Sequence, residues 1–370
     1  MQVCYNRFMV KKTINSRMPL LILVLIIALF ACQLTGGDTA GKINPPTAVS
    51  TPETPEDWYT VYFTDPANPA SKSLRGGPDK YLAEAIRAAR VSVDVAVLQL
   101  NLWSIRDALL DAHKRGVKVR VVTESDYLDG KEIGQLMEAG VAVLGDRREG
   151  LMHNKFTVID RQDVWTGSMN YSVNEAYRNN NNLIRIRSPQ LAENYTREFE
   201  EMFVDDQFGP GSPANTPNPT LKAGDTRIDS CFSPDDGCTA QLVKVIQGAR
   251  KSVYFLAYSF TSDQLAEALL AGLKQGVEIE GVMERSQVQS NSGTDYDRFR
   301  SAGMDVRLDA NENQMHDKLM IIDGQIVVTG SFNFTYSAEK YNDENMLVIY
   351  DPQIAGLYLA EFERIFNQAK

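Results

Sequence analysis

Two histidines stand at matching places in a chain that has three histidines among its 370 residues. His153 is followed two positions later by Lys155, and His316 is followed in the same way by Lys318. Residues two apart in a β-strand point to one face, so each histidine and its lysine can line one surface. Two imidazoles and two ammonium groups around one point suit a phosphodiester. The cations neutralise its oxygens, one imidazole attacks phosphorus, and the other protonates the leaving oxygen.

Further polar residues recur at fixed distances behind each histidine. The matched residues are Asp160 and Asp323, Ser168 and Ser331, and Asn170 and Asn333. We expect the asparagines to add amide donors to the phosphate oxygens and the serines to add hydroxyl contacts to the substrate. The aspartates are an odd number of positions from the lysines, so strand alternation turns them to the opposite face. We therefore expect a turn or ion-pair role for them.

These matched residues belong to an internal duplication. Residues 89–93 resemble residues 249–253 at an offset of 160, and further along the chain the offset becomes 163. Two copies indicate a duplicated domain and not a solenoid. A proline-rich stretch separates the copies. The sequence therefore predicts a first half over 58–208, a linker over 209–220 and a second half over 221–370.

Each copy alternates helices with apolar strands. In the first copy we predict strands over 91–100, 117–123, 155–160, 163–166 and 183–187, and helices over 79–90, 103–115 and 191–203. Long apolar strands between helices indicate a buried parallel or mixed sheet. The expected fold is α/β, with two duplicated halves of mixed sheet flanked by helices. A pseudo-two-fold axis would bring both histidines to one site at the interface.

The complete pattern of each copy, HxK-x4-D-x6-GSxN, resembles the signature of the phospholipase D superfamily. The resemblance covers roughly 58–370, and both motifs are complete. It implies a phosphodiesterase that needs no metal or other cofactor, forms a covalent phosphohistidine and acts on phospholipids or nucleic acids. The N-terminal histidine is usually the nucleophile in that superfamily, which gives this role to His153 and the role of general acid to His316.

One position behind the motif differs between the copies. Glu344 lies 28 residues after His316, and an acidic residue near this place orients the histidine in members of the superfamily. Asn181 stands at the matching place in the first copy. Since a carboxylate stabilises imidazolium and an amide does not, we expect Glu344 to support His316 as the acid and His153 to be the nucleophile. Glu175 is an alternative acid for the first copy.

The pattern leaves the substrate open between two kinds of phosphodiester. A net charge of −10 makes the chain a poor general binder of nucleic acid and favours a phospholipid. The compact copies, in contrast, look like bacterial nucleases of the superfamily. We predict hydrolysis of a phospholipid headgroup ester, with an endonuclease as the alternative and a non-catalytic phosphate-binding module as a remote one. Two copies in one chain already build the site, so a monomer is expected.

The N-terminus has the pattern of an export signal. Basic residues precede an apolar run over 18–31 that is short for a membrane span and typical of a signal peptide. The run ends at Cys32, in a Leu-Phe-Ala-Cys sequence that resembles a bacterial lipobox. We predict a signal peptide over 1–31, lipidation of Cys32 and a flexible tether over 32–57. The protein would then be a membrane-anchored lipoprotein of the cell envelope, with plain secretion or an uncleaved anchor helix as alternatives.

Cys231 and Cys238 lie close together in a stretch rich in Pro, Gly and Asp. In an oxidising compartment they can close a small loop, whereas a zinc site would need more ligands and no histidine is near in sequence. We predict a disulfide, with two free thiols as the alternative.

Overall fold

A computed structural model describes residues 58–370. The predicted signal peptide, Cys32 and the tether lie outside the described residues and stay predictions. The described residues fall within one compact unit. Among them, no helix has both the length and the apolar character that a membrane crossing needs.

The first half is built on a mixed sheet of seven strands. Its strands are β1 (Tyr59–Phe63), β2 (Ser92–Val97), β3 (Lys118–Thr123), β4 (Ala142–Gly145), β5 (Lys155–Ile159), β6 (Asp163–Gly167) and β7 (Asn182–Arg187). Its helices are α1 (Pro69–Lys72), α2 (Asp79–Ala88), α3 (Trp103–Lys114), α4 (Lys131–Glu138), α5 (Val173–Tyr177) and α6 (Pro189–Phe203). The strand order is β1-β7-β6-β5-β2-β3-β4, with β2, β3 and β4 parallel and the other neighbours antiparallel.

The second half repeats this plan and adds one edge strand. Its strands are β8 (Thr220–Ala223), β9 (Thr226–Ser233), β10 (Ser252–Ala257), β11 (Glu278–Met283), β12 (Asp305–Leu308), β13 (Lys318–Ile322), β14 (Ile326–Gly330) and β15 (Glu344–Tyr350). Its helices are α7 (Cys238–Gln247), α8 (Asp263–Lys274), α9 (Arg285–Ser290), α10 (Tyr296–Ser301), α11 (Tyr336–Lys340) and α12 (Pro352–Phe366). The order β12-β11-β10-β13-β14-β15-β9-β8 confirms the predicted duplication.

The two sheets enclose a shared core. Helix α6 packs on its own sheet and reaches β9 of the other, while α12 packs on its own sheet and reaches β1. Aromatic side chains from both halves fill this middle layer, including Phe156, Tyr195, Phe232 and Tyr358. Each half also has an apolar cluster of its own under its outer helices. The strands between these layers are covered on both faces, which explains their nearly unbroken apolar sequence.

The predicted elements of the first half are all present, and the structure adds strands that the sequence pattern did not show. Strand β1 and its counterpart β9 pair antiparallel with β7 and β15 at equivalent places. The predicted strand over 91–100 ends at Val97 instead of Leu100. The backbone N–H of Leu98 leaves the sheet and donates to the carbonyl of Asn154 at 3.2 Å, just behind the first histidine.

Asp160 and Asp323 lie in turns and bind the backbone at the start of a neighbouring strand, which agrees with the first of the two expected roles, a turn or an ion pair. The Asp160 carboxylate accepts backbone N–H bonds from residues 90–92, and that of Asp323 accepts the same bonds from residues 250–252, all at 2.7–3.1 Å. Both aspartates have φ near +55°, in the left-handed region. These donors hold the pKa of Asp323 below its usual range, although partial burial opposes them. Each carboxylate thus ties a β-hairpin to the strand beside it.

The predicted disulfide between Cys231 and Cys238 is confirmed. It joins the end of β9 to the first residue of α7, with the two Cα atoms 5.8 Å apart. In the first half a longer loop over 64–78, which contains α1, makes the equivalent connection. The two halves therefore differ most in the segment between their first strand and their first long helix.

Replacing Asp323 by alanine should lower the free energy of unfolding by about 1–3 kcal/mol, because three backbone donors lose their acceptor. The folded-state pKa of Asp323 is depressed, so its stabilisation is present above the unfolded pKa and is lost as pH falls through the folded one. Urea unfolding of Asp323→Ala should therefore show a deficit at neutral pH that shrinks below about pH 4.

Asp323→Asn is the matched control, because asparagine tolerates positive φ and keeps one acceptor oxygen. It should recover much of the lost stability. A deficit in Asp323→Ala that does not change with pH would contradict the capping role of the carboxylate.

Candidate active site

The histidine of each half is held by the backbone of the other half. The N–H of His153 donates to the carbonyl of Asp343 at 3.0 Å, and the N–H of His316 donates to the carbonyl of Asn180 at 2.9 Å. Met152 and Met315, just before the histidines, form the matching parallel bridges. These exchanged bonds place both motifs side by side at the interface of the halves, as predicted.

Each lysine lies beside its own histidine at the start of a strand. Lys155 Nζ donates to the His153 carbonyl and Lys318 Nζ to the His316 carbonyl, both at 2.6 Å. Both lysines are buried. Burial lowers the pKa of Lys155 to about 8, and burial together with the charge of Lys155 lowers that of Lys318 to about 7. The site thus holds two ammonium groups that give up their protons readily when no anion is bound.

The carboxylates behind the histidines are crossed between the halves. Glu344 bonds to Nδ1 of His153 at 2.7 Å, and Glu175 lies 3.0 Å from Nδ1 of His316. The expectation that Glu344 supports His316 is therefore wrong. The reason is the exchange across the interface, because β15 of the second half starts beside His153 of the first half and not beside His316. Glu175, expected as an alternative acid behind the histidine of the first copy, does bind a histidine. That histidine is His316 of the second copy.

The support of His316 is shared between two groups. Asn181 Oδ1 lies 3.1 Å from its Nδ1, while the Asn181 amide donates to Glu175 Oε2 at 2.5 Å. Burial alone would raise the pKa of Glu175, but His316 and Lys318 hold it at about 2, so this carboxylate stays ionised. Burial lowers the pKa of His316 to about 4, against the pull of Glu175.

The support of His153 is a single carboxylate. Glu344 is fully buried, and its second oxygen has no hydrogen-bond partner among the described residues. Burial lowers the pKa of His153 as well, and the Glu344 charge opposes that shift. Both histidines therefore rest in the neutral form near pH 7, with Nδ1 held by an acceptor and Nε2 left for the substrate.

The asparagines and the serines of the two motifs lie in different surroundings. The side-chain carbonyl oxygens of Asn170 and Asn333 are buried and have no partner among the described residues, and the Asn170 amide donates to Glu175 at 3.4 Å. The predicted donation of both amides to a phosphate stays a prediction. Ser168 and Ser331 are fully buried. Their hydroxyls bind interior groups, at Asn181 for Ser168 and at the backbone N–H of Asn345 for Ser331. The predicted contact of the serines with substrate is thus wrong, because their strand face is closed by the next strand.

A buried network of amides locks the two halves together beneath the histidines. The side-chain oxygen of Asn345 accepts a hydrogen bond from the Thr166 hydroxyl at 2.6 Å, and the side-chain oxygen of Asn182 accepts one from the Thr329 hydroxyl at 2.7 Å. Both bonds cross the interface. The residue between each histidine and its lysine joins the network: Asp317 accepts from Asn182 at 2.8 Å, and Asn154 accepts from Asn345 at 2.9 Å. Buried hydrogen bonds that cross an interface restrict how its two sides can pack, so this network helps to fix the relative position of the two histidines.

Tyr258 is a neighbour of the site that the sequence analysis missed. Its ring lies edge-on against the His316 imidazole, with centroids 4.5 Å apart, and Lys318 Nζ lies 4.7 Å from its ring centroid. The 160-residue offset puts Leu98 at the matching place beside His153. Extending the comparison of the two copies to positions outside the motif would have found this difference, which makes one side of the site more polar than the other.

Two paired histidine–lysine motifs in an interface of this geometry define a phosphodiester-handling site. The chain matches the family model described as "Cardiolipin synthase, PLD-like domain" over residues 82–203 and again over 242–366. The protein therefore belongs to the phospholipase D-like family. The two matched segments contain the first and the second motif respectively, so the family assignment covers both histidines.

Comparison with known proteins gives the family a wider setting. "Phospholipase D" of Rickettsia typhi is 36% identical over 132 residues, covering 36% of this chain and 64% of that protein. "Mitochondrial cardiolipin hydrolase" of Xenopus tropicalis is 38% identical over 129 residues, covering 34% of this chain and 60% of that protein. The chain thus spans less than two thirds of the length of either relative. At the family level they support an enzyme of the phosphodiesterase type.

One solved structure shares the fold over most of the chain. It is the phosphatidylserine synthase of Haemophilus influenzae, with a TM-score of 0.60 and 14% sequence identity, covering 84% of this chain and 87% of that one. At this identity the likeness concerns the fold alone. It agrees with the two-sheet architecture described above.

The crossed carboxylates predict which substitutions can rescue each other. Glu175→Gln should lower kcat about 10- to 100-fold, because His316 loses its ionised partner. Adding Asn181→Asp should restore part of this loss. It puts a carboxylate next to Nδ1 of His316, at the position that matches Glu344 next to His153. Steady-state kinetics on a soluble phosphodiester measures both variants.

Asn181→Asp alone is the informative control. It puts a second carboxylate beside Glu175, and two like charges in contact should lower activity and not raise it. Failure of the double variant to exceed Glu175→Gln would show that the carboxylate behind His316 does not act through that histidine.

The two lysines predict how anion binding depends on pH. Because the pKa of Lys318 is about 7 and that of Lys155 about 8, both lose charge as pH rises through this range. The association constant of sulfate, which keeps its charge, should fall by up to about tenfold per pH unit above each pKa. Calorimetry in two buffers of different ionisation enthalpy should show proton uptake near pH 8.

Lys318→Met should remove the part of this dependence that lies near pH 7. A sulfate affinity that is constant across the range, with no proton exchange on binding, would mean that both lysines are already fully charged in the free protein.

Proposed function

We propose that the protein is a metal-independent phosphodiesterase that hydrolyses the headgroup ester of a phospholipid through a covalent phosphohistidine. One observation carries the proposal: two neutral histidines, each with a carboxylate at Nδ1, meet at one interface with two buried lysines. The lysines and the two site asparagines supply the cationic and amide groups that a phosphate needs, and this is the role that a metal ion has in other phosphodiesterases.

His153 is proposed as the nucleophile, on a ground different from the one expected from sequence. Its Nδ1 binds the Glu344 carboxylate directly, and this carboxylate raises the electron density at Nε2. His316 shares its Nδ1 between an amide and a carboxylate that also binds Asn181. It is the weaker base, so its protonated form is the stronger acid. The asymmetry thus supports His153 as nucleophile and His316 as general acid.

The reaction would then run in two displacements. In the first, His153 Nε2 bonds to phosphorus, the bond from phosphorus to the headgroup oxygen breaks, and His316 gives its proton to that oxygen. In the second, neutral His316 takes a proton from water, the water oxygen bonds to phosphorus, and the bond to His153 breaks. The bound phosphodiester supplies the negative charge that lets His316 hold a proton before the first step.

The choice of a phospholipid rests on two observations. The relatives reported above are named a phospholipase D and a cardiolipin hydrolase. The chain carries a net charge of −10, which disfavours general contact with a polyanionic nucleic acid. An endonuclease with the same mechanism is the second candidate, favoured by halves of about 150 residues without large insertions.

The cellular setting is part of the proposal. The apolar leader and Cys32 in its lipobox-like sequence support a lipoprotein anchored outside the cytoplasm. The disulfide in the second half fits an oxidising compartment. The complete pair of motifs in one chain supports a monomer, and a phosphate-binding module without turnover is the remote alternative.

Substrate class can be tested with the purified protein and excess chelator. We expect release of the headgroup from phospholipid vesicles and slower or no cleavage of plasmid DNA. Cleavage of DNA alone would replace the lipid proposal by the endonuclease. Loss of activity in chelator that returns with added metal would overturn the metal-independent mechanism.

The two histidines should fail in different ways when replaced. His153→Ala should lose at least about 10³-fold in kcat and leave no phospho-enzyme, because the nucleophile is absent. His316→Ala should accumulate phospho-enzyme on a substrate with a good leaving group, because the water step lacks its base. Acid-labile phosphate on quenched protein measures this. The opposite pattern would exchange the two roles.

A further inference from the structure

Three exposed apolar side chains lie close to the first histidine. Leu151 is 38% exposed, Tyr336 60% and Tyr341 49%. The rings of Tyr336 and Tyr341 are in contact, with their centroids 5.9 Å apart. A cluster of exposed apolar side chains calls for an explanation, whereas single exposed ones do not. We call these three residues the apolar rim.

The apolar rim is tied to the backbone that positions His153. The Leu151 carbonyl accepts the N–H of Asp343 at 2.9 Å, and the Asp343 carbonyl accepts the N–H of His153 at 3.0 Å. The Leu151 N–H donates to the side chain of Asn342 at 3.2 Å, and Asn342 directly follows Tyr341. A short run of hydrogen bonds therefore joins the rim to the proposed nucleophile.

The matching positions on the other side of the pseudo-two-fold axis have a different character. The 163-residue offset puts Gln314 in the place of Leu151, Val173 in that of Tyr336 and Arg178 in that of Tyr341. Only the valine of these three is apolar, and it is partly buried against its own core. At these positions the exposed apolar surface is thus found on the His153 side of the site.

The proposed mechanism needs contact with lipid on that side. After the first displacement the headgroup has left, and the phosphorus that carries the acyl chains is bonded to His153. Transfer of long acyl chains into water is strongly unfavourable. The intermediate therefore forms most readily when the His153 side of the site lies against the membrane, where the chains can stay.

The residue types of the rim suit the boundary between water and hydrocarbon. A tyrosine ring is apolar while its hydroxyl binds water or lipid oxygens, and tyrosine is enriched at membrane interfaces for this reason. Leu151 adds a purely apolar side chain. A net charge of −10 gives the protein no general attraction to an anionic surface, so apolar contact is the favourable force available here.

The length of the predicted tether is compatible with this orientation. In β1, Phe63 pairs with Asn182 at the edge of the sheet that carries the site, whereas Tyr59 pairs with Ile186 at the opposite edge, about 17 Å away. The chain thus enters the fold at the edge away from the site. A tether over 32–57 extends to about 90 Å, so an anchor at its start allows the site to face the membrane.

We infer that the apolar rim is a membrane-contact surface, by which the protein docks on a phospholipid bilayer with the His153 side of its site toward the lipid. The inference rests on the proposed function, because it takes the substrate to be a lipid. In the docked state the two tyrosine rings and Leu151 enter the interfacial region of the bilayer. The acyl-bearing phosphate then reaches His153 without leaving the membrane.

The experiment separates turnover at a surface from turnover in solution. The full chain is reconstituted in vesicles of phosphatidylcholine, phosphatidylethanolamine and phosphatidylglycerol, and phosphatidate formation is compared with hydrolysis of bis(4-nitrophenyl) phosphate, a soluble phosphodiester. Tyr336→Ser/Tyr341→Ser should lower the rate on vesicle lipid at least about tenfold, because apolar contact is lost. It should change the rate on the soluble ester less than about twofold, because the reacting groups are untouched.

Val91→Ser is the matched control. Val91 is 66% exposed and directly precedes β2, at the edge of the sheet away from the site. This variant should keep both rates. An unchanged vesicle rate in the double variant, an equal loss on both substrates, or an equal fall in Val91→Ser would overturn the docking surface.

A second measurement does not depend on turnover. The emission of Tyr336→Trp in vesicles with brominated acyl chains should be quenched more than that of Val91→Trp, and equal quenching would overturn docking. A change of oligomeric state in the double variant, with an unchanged vesicle rate, would make the rim an interface between copies of this chain instead. Absence of turnover on every phosphodiester would remove the proposed function, while stronger quenching of Tyr336→Trp would still support docking.

Discussion

The site depends on an exchange between the two halves. Each histidine takes its backbone hydrogen bond and its carboxylate from the opposite half, so His153 is held by residues after 342 and His316 by residues before 182. The buried amides of Asn182 and Asn345 repeat this exchange one layer deeper. Neither half alone contains a supported histidine. The distance between the two imidazoles is therefore set by the packing of the sheets and not by a loop.

This arrangement explains the unusual charge state of the site. Burial lowers the pKa values of both lysines and both histidines, and the two neighbouring carboxylates oppose that shift. A phosphodiester brings the negative charge that the empty site lacks, and its arrival favours protonation of the groups around it. In the proposed mechanism, binding and acid catalysis are therefore coupled, because the bound phosphodiester favours the protonated form of the general acid.

Much of the fold and part of the site could be predicted from sequence, because positions that match between the two copies identify the elements and motifs that the halves share. The duplication and the paired motifs follow from residue type and spacing. The same signals favoured a turn for the aspartates and a disulfide for the two cysteines, each with an alternative. The repeat does not show which residues of one copy contact the other copy. For that reason the predicted pairing of Glu344 with His316 was wrong. The serine prediction failed because alternation gives the face of a strand and not the element that covers it. Tyr258 lies at a position where the copies differ, and a search for identical residues does not detect such positions.

The crossed support also bears on how such a site can change over generations. If two identical halves met as separate subunits, every substitution would appear on both sides, and the two imidazoles would keep the same surroundings. Joined in one chain, the halves can diverge independently. The amide and the carboxylate behind His316 and the tyrosine beside it each make the surroundings of this histidine different from those of His153. A single chain can thus hold two histidines in different surroundings on a scaffold that is otherwise symmetrical.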